Sequence, residues 1–448
     1  MGVATIPKIG SISLEITKKR VAFHPQSRKS DIADIARNVI VPFLATRLAL
    51  FAIGLTTIYY ILPLINPNQP IHSNLQTLPF SQILYKMWTR FDSGFFISIA
   101  GSGYSLAPNA LTSMSNWAFF PLYPLAIRLL MLPIGITGNH AVISGIAISN
   151  ASSLIACIYL YKLTTKEFNS VVAQRAVLYM LIYPMSFYLS SVYSEGLFMA
   201  LSIGCVYHAR QRHWLLSGIL GGLAALARPQ GAFLALAVAW EYWQYIADRF
   251  APRCSQQTFI ASIKDLLRSR IVGLYHSLSS MRTWLGFACI AFIPLGFALF
   301  CFYAKWKVGV FLAFLKVEEN GWNRHSSNPI VLVAHFIKHP IIATPYTWEF
   351  YAYNMIIIFL CWTLFLVVLR RMPFMYVIIT FVYLYMPLAA GSIGSVGRLY
   401  LISFPLYIVA AYWSTKGDDA RHNAIVSISA TLLGIGMTMF VIGVYAMA

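Results

Sequence analysis

Long apolar runs are the feature of this sequence that most constrains its fold. Most of these runs are long enough to cross a lipid bilayer as a helix. They lie at about 39–64, 139–161, 171–190, 192–209, 214–227, 229–247, 283–304, 347–369, 373–390, 398–414 and 422–447. They are continuous, whereas the strands of a transmembrane barrel alternate in polarity over about 10 residues. The sequence therefore predicts an all-α, polytopic integral membrane protein with about 11 transmembrane helices.

The scarcity of charge supports the same fold class. Charged residues make up 10% of the 448 residues, against about 25% in a soluble domain. A soluble globule of this size needs more polar surface, so a cytosolic enzyme and a disordered chain are excluded. The six cysteines are scattered and form no CxxC pair, which argues against a disulfide framework.

Basic residues indicate the orientation. The chain has 33 Lys and Arg against 14 Asp and Glu, a net charge of +19, which we assign to cytoplasmic loops and anionic lipid rather than to nucleic acid. If the proline-interrupted segment 119–133 lies along the outer interface, 22 of the 33 basic residues fall inside. We therefore expect a basic cytoplasmic segment at 1–38 and one transmembrane domain at 39–448. Its larger loops are expected at 65–138 and 305–346 outside and at 248–282 inside.

This topology brings several ionisable residues to the outer face. Arg90 and Asp92 lie in the first outer loop, while Glu195, Arg228 and Arg398 lie at the outer turns or starts of three spans. Ionisable groups near membrane spans are costly and are candidates for function. Each also has a structural alternative: a helix cap or surface ion pair for Asp92, a solvated turn for Glu195, and interfacial anchoring for the arginines.

The residue types suit a lipid-linked sugar. Arginine binds phosphate through a forked, permanently charged donor, and a carboxylate can accept the proton of an attacking hydroxyl. One base and direct displacement imply inversion at the anomeric carbon. His335 and His339 stand four residues apart, but no carboxylate nearby completes a metal site. We therefore expect neither a metal nor a cofactor beyond the donor itself.

Five stretches carry a family resemblance. They are Arg90–Tyr104 with its Arg-Phe-Asp-Ser-Gly start, FFPLYP at 119–124, Tyr183-Pro184 with YSEGLF at 193–198, ARPQG at 227–231, and Arg398 with Phe404-Pro405. In this order they resemble the PIG-V family of mannosyltransferases, whose eukaryotic members are GPI mannosyltransferase 2. The family usually has Trp before the loop aspartate, where this chain has Phe91.

The resemblance implies a GT-C glycosyltransferase fold with its site at the outer or lumenal membrane face. It implies a polyprenyl- or dolichyl-phosphate mannose donor and a lipid-linked or glycan acceptor. The family's loop aspartate maps onto Asp92 as the base, and Arg90, Glu195, Arg228 and Arg398 are expected to bind substrate. The short loops resemble the bacterial branch, so a bacterial plasma membrane is expected, or the endoplasmic reticulum membrane in a eukaryote. The alternatives are a transporter or flippase for a lipid-linked sugar, and a non-catalytic subunit.

Overall fold

The computed structural model describes residues 28–65, 79–250, 280–338, 348–391, 393–416 and 419–443. Most of the predicted basic segment 1–38 and of the loop 248–282 lies outside these ranges, as do parts of both predicted outer loops. All regular structure within the ranges is helical, which confirms the all-α class. The helices are α1 Ile32–Leu64, α2 Phe80–Trp88, α3 Ser93–Ser102, α4 Leu122–Met131, α5 Gly138–Glu167, α6 Ser170–Leu181, α7 Glu195–Arg210, α8 Trp214–Ala227, α9 Leu234–Phe250, α10 Met281–Val308, α11 Ala313–Trp322, α12 Pro329–Lys338, α13 Trp348–Arg371, α14 Phe374–Ala389, α15 Val396–Tyr400, α16 Phe404–Ser414 and α17 Asp419–Ile442.

Five helices in the described ranges are long and apolar enough to cross a membrane. They are α1, α5, α10, α13 (over Tyr353–Arg371) and α17, with lengths from 19 to 33 residues. The chain is therefore an integral membrane protein, as its composition predicts. Several other predicted spans are shorter helices, so the count of eleven crossings stays a prediction.

Three of the predicted spans are broken, and two of the breaks lie beside the predicted site residues Arg228 and Arg398. The run 171–190 is α6 followed by a short 3-10 helix at Ser186–Leu189. Pro184 lies between them, lacks a backbone N–H and disfavours helical backbone at the residue before it. The run 229–247 opens with a 3-10 helix at Pro229–Phe233. The run 398–414 is divided into α15 and α16. Irregular backbone at membrane depth is tolerated where it is buried in protein or lines a cavity.

The segment 119–133, within the predicted first outer loop, contains the short helix α4. Its 10 residues rise about 15 Å, about half the hydrocarbon thickness of a bilayer. Arg128 Nη1 donates to the carbonyls of Ala100 and Gly101, both at 3.1 Å. These bonds tie α4 to the end of α3, in keeping with a segment that does not cross the membrane by itself.

Glycines bring α8 and α10 into close contact. A Cβ on Gly218 would lie 1.9 Å from the carbonyl oxygen of Cys289, and one on Gly296 would lie 2.0 Å from that of Gly222. Small residues at helix interfaces let backbones approach closely within membranes. This contact fixes α8, whose end carries Arg228 into the site.

Candidate active site

A cavity of about 1310 Å³ brings together four of the five residues predicted to form a site. Asp92, Glu195, Arg228 and Arg398 all line it. They come from four separated parts of the chain: the start of α3, the start of α7, the end of α8 and the helix α15. The convergence expected from topology is therefore present in the structure.

Asp92 and Arg398 form an ion pair in the lining of the cavity. Arg398 Nη1 donates to Asp92 Oδ2 at 2.7 Å. The Arg398 side chain is 8% exposed and the Asp92 side chain 21%, so the carboxylate is the more accessible of the two. The guanidinium also lies over the ring of Tyr193, 5.1 Å from its centroid. Arg398 is therefore held in place, and it orients Asp92.

Glu195 lies beneath two arginines. Its side chain is fully buried, with Oε1 2.8 Å from Arg228 Nη1 and 3.4 Å from Arg398 Nε. A buried carboxylate is tolerated when it is paired, and loss of a partner leaves a costly buried charge. Glu195 therefore serves as the shared counter-ion that holds both guanidiniums at the cavity.

Tyr193 holds the turn that carries Asp92. Its hydroxyl accepts from the Asp92 backbone N–H at 3.1 Å and donates to the Arg90 carbonyl at 2.7 Å. The turn contains Phe91 with a φ of 51°, a left-handed conformation that non-glycine residues rarely adopt. Ser395, three residues before Arg398, has a φ of 63°. Strained backbone persists only where the surroundings enforce it, and it is frequent at functional sites.

Arg90 lies apart from the other four residues. It is not among the described residues that line the cavity, and its Nη2 donates to the carbonyl of Val441 in α17. The structure thus joins Arg90 to the last helix, and its predicted contact with substrate stays a prediction.

Two further charged residues of the cavity were not among the predicted site residues. Glu318 in α11 and Arg324 just after it both line the cavity, and Arg324 Nη1 lies 3.0 Å from Glu318 Oε2. Burial raises the pKa of the Glu318 carboxyl; Arg324 opposes this effect, and the charge of Asp92 adds to it. Glu318 and its neighbour Glu319 are the two acidic residues of the predicted outer loop 305–346. The chain has only 14 Asp and Glu residues, so two adjacent acids in an outer loop were the sequence feature that could have indicated a role for Glu318.

The rest of the cavity is apolar and long. Residues at both ends of α14, Phe374 and Ala389, line it, so it follows a helix of 16 residues that rises about 24 Å. Further apolar lining comes from α9, α13 and α14: Leu236, Phe365, Leu369, Val377, Ile378 and Phe381. The cavity therefore combines a charged end with an apolar channel of membrane dimensions.

Metal-binding chemistry is not evident in the described ranges. They contain no group of three or more His, Cys, Asp or Glu residues able to hold a metal ion. Of the histidine pair considered in the sequence, His335 lies in α12 and His339 falls outside the described residues. The expectation of a cofactor-free enzyme stays a prediction.

Comparisons with known proteins agree with the motif resemblance. A family model described as Mannosyltransferase (PIG-V) matches residues 63–233, a region that holds Asp92, Glu195 and Arg228. GPI mannosyltransferase 2 of Yarrowia lipolytica is 28% identical over 196 residues, which are 43% of this chain and 48% of that protein. The chain thus matches about half the length of this curated relative. The resemblance to PIG-V mannosyltransferases is confirmed over these residues.

Among solved structures, the apo oligosaccharyltransferase of Archaeoglobus fulgidus aligns with a TM-score of 0.41 at 12% identity. The alignment covers 90% of this chain and 56% of that one. The enzyme from the same organism in complex with an inhibitory peptide and a dolichol-phosphate aligns with a TM-score of 0.37, also at 12% identity and with the same coverage of both chains.

Proposed function

We propose that this chain is an inverting membrane glycosyltransferase of the GT-C type. Residues 63–233 match the PIG-V mannosyltransferases. The proposed enzyme moves mannose or a related sugar from a polyprenyl- or dolichyl-phosphate carrier to a lipid-linked or glycan acceptor. One observation carries this proposal: a cluster of charged residues and a long apolar channel belong to the same cavity. The cluster consists of Asp92, Arg398, Glu195 and Arg228. We place the reaction at the outer face of a bacterial plasma membrane, or at the lumenal face of the endoplasmic reticulum in a eukaryote.

The cavity suits the two chemically different parts of such a donor. The channel along α14 can bury part of a polyprenyl tail, because its lining is apolar over the length of the helix. The phosphate then meets the arginines at the charged end. Arg228 uses only Nη1 in its contacts with Glu195 and Ser194 among the described residues. Its remaining N–H groups are available to a phosphate oxygen.

Asp92 accepts the proton in the proposed reaction. The acceptor hydroxyl oxygen attacks the anomeric carbon from the side opposite the phosphate, and its proton passes to the Asp92 carboxylate. The bond between the anomeric carbon and the phosphate oxygen breaks, and its electron pair leaves with the lipid phosphate. Arg228 and Arg398 stabilise the charge that develops on this phosphate. A single displacement inverts the configuration.

Transport of a lipid-linked sugar was the main alternative. A transporter keeps its charged residues near the bilayer midplane. Here Glu195 begins α7 and Arg228 directly follows α8, so both lie at helix ends. Transporter sites also lie at the ends of broken helices, so the choice rests on the match of residues 63–233 to a mannosyltransferase family, which favours transfer.

The first test is a transfer assay with Asp92→Asn. Membranes that contain the wild type and radiolabelled polyprenyl-phosphate mannose should form a labelled product, whereas the variant should form almost none, because an amide cannot accept the proton. Asp419→Asn is the matched control, since Asp419 lies outside the cavity and its side chain is 80% exposed. A variant with most of its activity would remove Asp92 from the base role. The absence of transfer with any lipid-linked sugar would contradict the enzyme proposal.

A further inference from the structure

Glu318 is the second carboxylate of the cavity that a substrate can reach. Its side chain is 29% exposed and that of Asp92 is 21% exposed, whereas Glu195 is fully buried. No other acidic residue is among the described residues that line the cavity. Glu318 takes no part in the proposed proton transfer or phosphate binding.

The helix α11 holds Glu318 in a fixed position against the first outer loop. Asn320 Nδ2 donates to the Leu111 carbonyl at 3.0 Å. A Cβ on Gly321 would come within 2.8 Å of the Met114 backbone nitrogen, so the two backbones are in close contact. Trp322 packs edge-on against Phe95, with ring centroids 5.5 Å apart. Glu318 therefore faces the cavity from a segment braced on the loop that carries Asp92.

The Glu318 carboxylate is only partly occupied. Arg324 contacts Oε2, and within the described ranges no residue hydrogen-bonds Oε1. The Arg324 backbone N–H also donates to the Glu318 carbonyl at 3.1 Å, which keeps the two residues together. An ionised carboxylate accepts hydrogen bonds at both oxygens, so Oε1 can receive a hydroxyl.

We propose that Glu318 binds the acceptor by accepting a hydrogen bond from one of its hydroxyl groups beside Asp92. This inference rests on the proposed transfer reaction. The donor phosphate is an anion, so it is repelled by this carboxylate and attracted to Arg228 and Arg398. An acceptor of the polyhydroxyl class, a glycan or a glycolipid headgroup, instead supplies hydrogen-bond donors. Glu318 thus places the attacking hydroxyl, and Asp92 receives its proton.

The test compares Glu318→Gln with the neighbouring Glu319→Gln. Glu319 is a matched control because it is not among the described residues that line the cavity, is 60% exposed and pairs with the exposed His325. Radiolabelled polyprenyl-phosphate mannose is the donor, and a total lipid and glycan extract of the cells that make the protein supplies the acceptor. The concentration of each is varied separately. We expect Glu318→Gln to raise the acceptor KM by roughly fivefold, since the neutral amide oxygen accepts a weaker hydrogen bond than the carboxylate does. The donor KM should not rise, because the change removes a charge that repels the donor phosphate, and Glu319→Gln should match the wild type.

The other possible outcomes show whether the role of Glu318 fails alone or together with the proposed function. An unchanged acceptor KM, or an increase in the donor KM instead, would overturn the role of Glu318 and leave the transfer reaction intact. The absence of transfer by the wild type would overturn both. If Glu318→Gln does not fold, Glu318→Asp retains the charge on a side chain one methylene shorter, and it should also raise the acceptor KM alone.

Discussion

At the scale of single residues, the site is organised by shared charges. Arg398 contacts both Asp92 and Glu195, and Arg228 contacts Glu195, so two guanidiniums are held by one fully buried carboxylate and one accessible carboxylate. A guanidinium fixed in this way loses less side-chain entropy when a phosphate binds. We therefore expect loss of the buried carboxylate to weaken phosphate binding as well as the fold.

Replacement of the buried carboxylate should weaken both the fold and donor binding. Glu195→Gln removes the charge that Arg228 and Arg398 share while its size is preserved. We expect the free energy of unfolding to fall by about 3–5 kcal/mol and the donor KM to rise. Thermal unfolding in detergent and donor titration measure these two effects. Glu319→Gln is again the control, and a Glu195→Gln protein with wild-type stability and KM would refute the shared counter-ion role.

At the scale of helices, an arginine in the first span supports a broken helix. Arg47 in α1 donates from Nη1 to the Ser186 carbonyl and the Ser190 hydroxyl, both at 3.1 Å, and from Nη2 to the Leu181 carbonyl at 3.3 Å. Leu181 ends α6, whereas Ser186 and Ser190 follow Pro184, so Arg47 joins the two sides of the break. Buried carbonyls within a membrane need hydrogen-bond partners. The same segment continues to Tyr193 and Glu195, which links α1 to the site.

Loss of this support should loosen the segment that carries the site. Arg47→Leu removes the charged donor from the Leu181 and Ser186 carbonyls, at a cost of about 1.5–3 kcal/mol for each hydrogen bond, while the Ser186 hydroxyl still donates to Leu181. We expect a lower unfolding temperature and reduced transfer. Arg37→Leu is the control, because Arg37 is an exposed arginine on the same helix. If both variants had the same unfolding temperature and transfer activity, Arg47 would not be needed to stabilise the broken helix.

At the scale of the whole molecule, one face of α14 links the charged site to the apolar channel. Phe374, Val377, Ile378, Phe381 and Tyr385 all line the cavity. They recur at three- and four-residue spacing, which places them on one side of the helix. A polyprenyl tail that follows this face would run along the helix while its phosphate remains beside Arg228.

A bulky residue on this face should impair donors with long tails. Ile378→Trp narrows the channel, so we expect the KM for a long polyprenyl-phosphate mannose to rise several-fold. The KM for a short-chain, citronellyl-phosphate donor should change less, because its tail fills less of the channel. Ile428→Trp is the matched control, since Ile428 is 61% exposed on α17. Equal effects on both donors would argue against a tail in this cavity.

Several properties of the protein followed from the sequence alone. Hydropathy and charge are local, so long apolar runs and the distribution of Lys and Arg predicted a helical membrane protein, and motif order predicted the PIG-V resemblance. The positions of Glu195, Arg228 and Arg398 at the ends of apolar runs brought them into one predicted site with Asp92. Their convergence on one cavity agrees with this prediction.

Only the tertiary structure decided which side chains share the cavity. Arg90 is two residues from Asp92, yet it bonds to α17, because the left-handed backbone at Phe91 redirects the chain between them. Glu318 is far from Asp92 in sequence, yet it lines the same cavity, because α11 packs against the chain near Leu111. Such neighbours depend on packing between distant segments, whereas hydropathy and charge patterns describe each segment by itself.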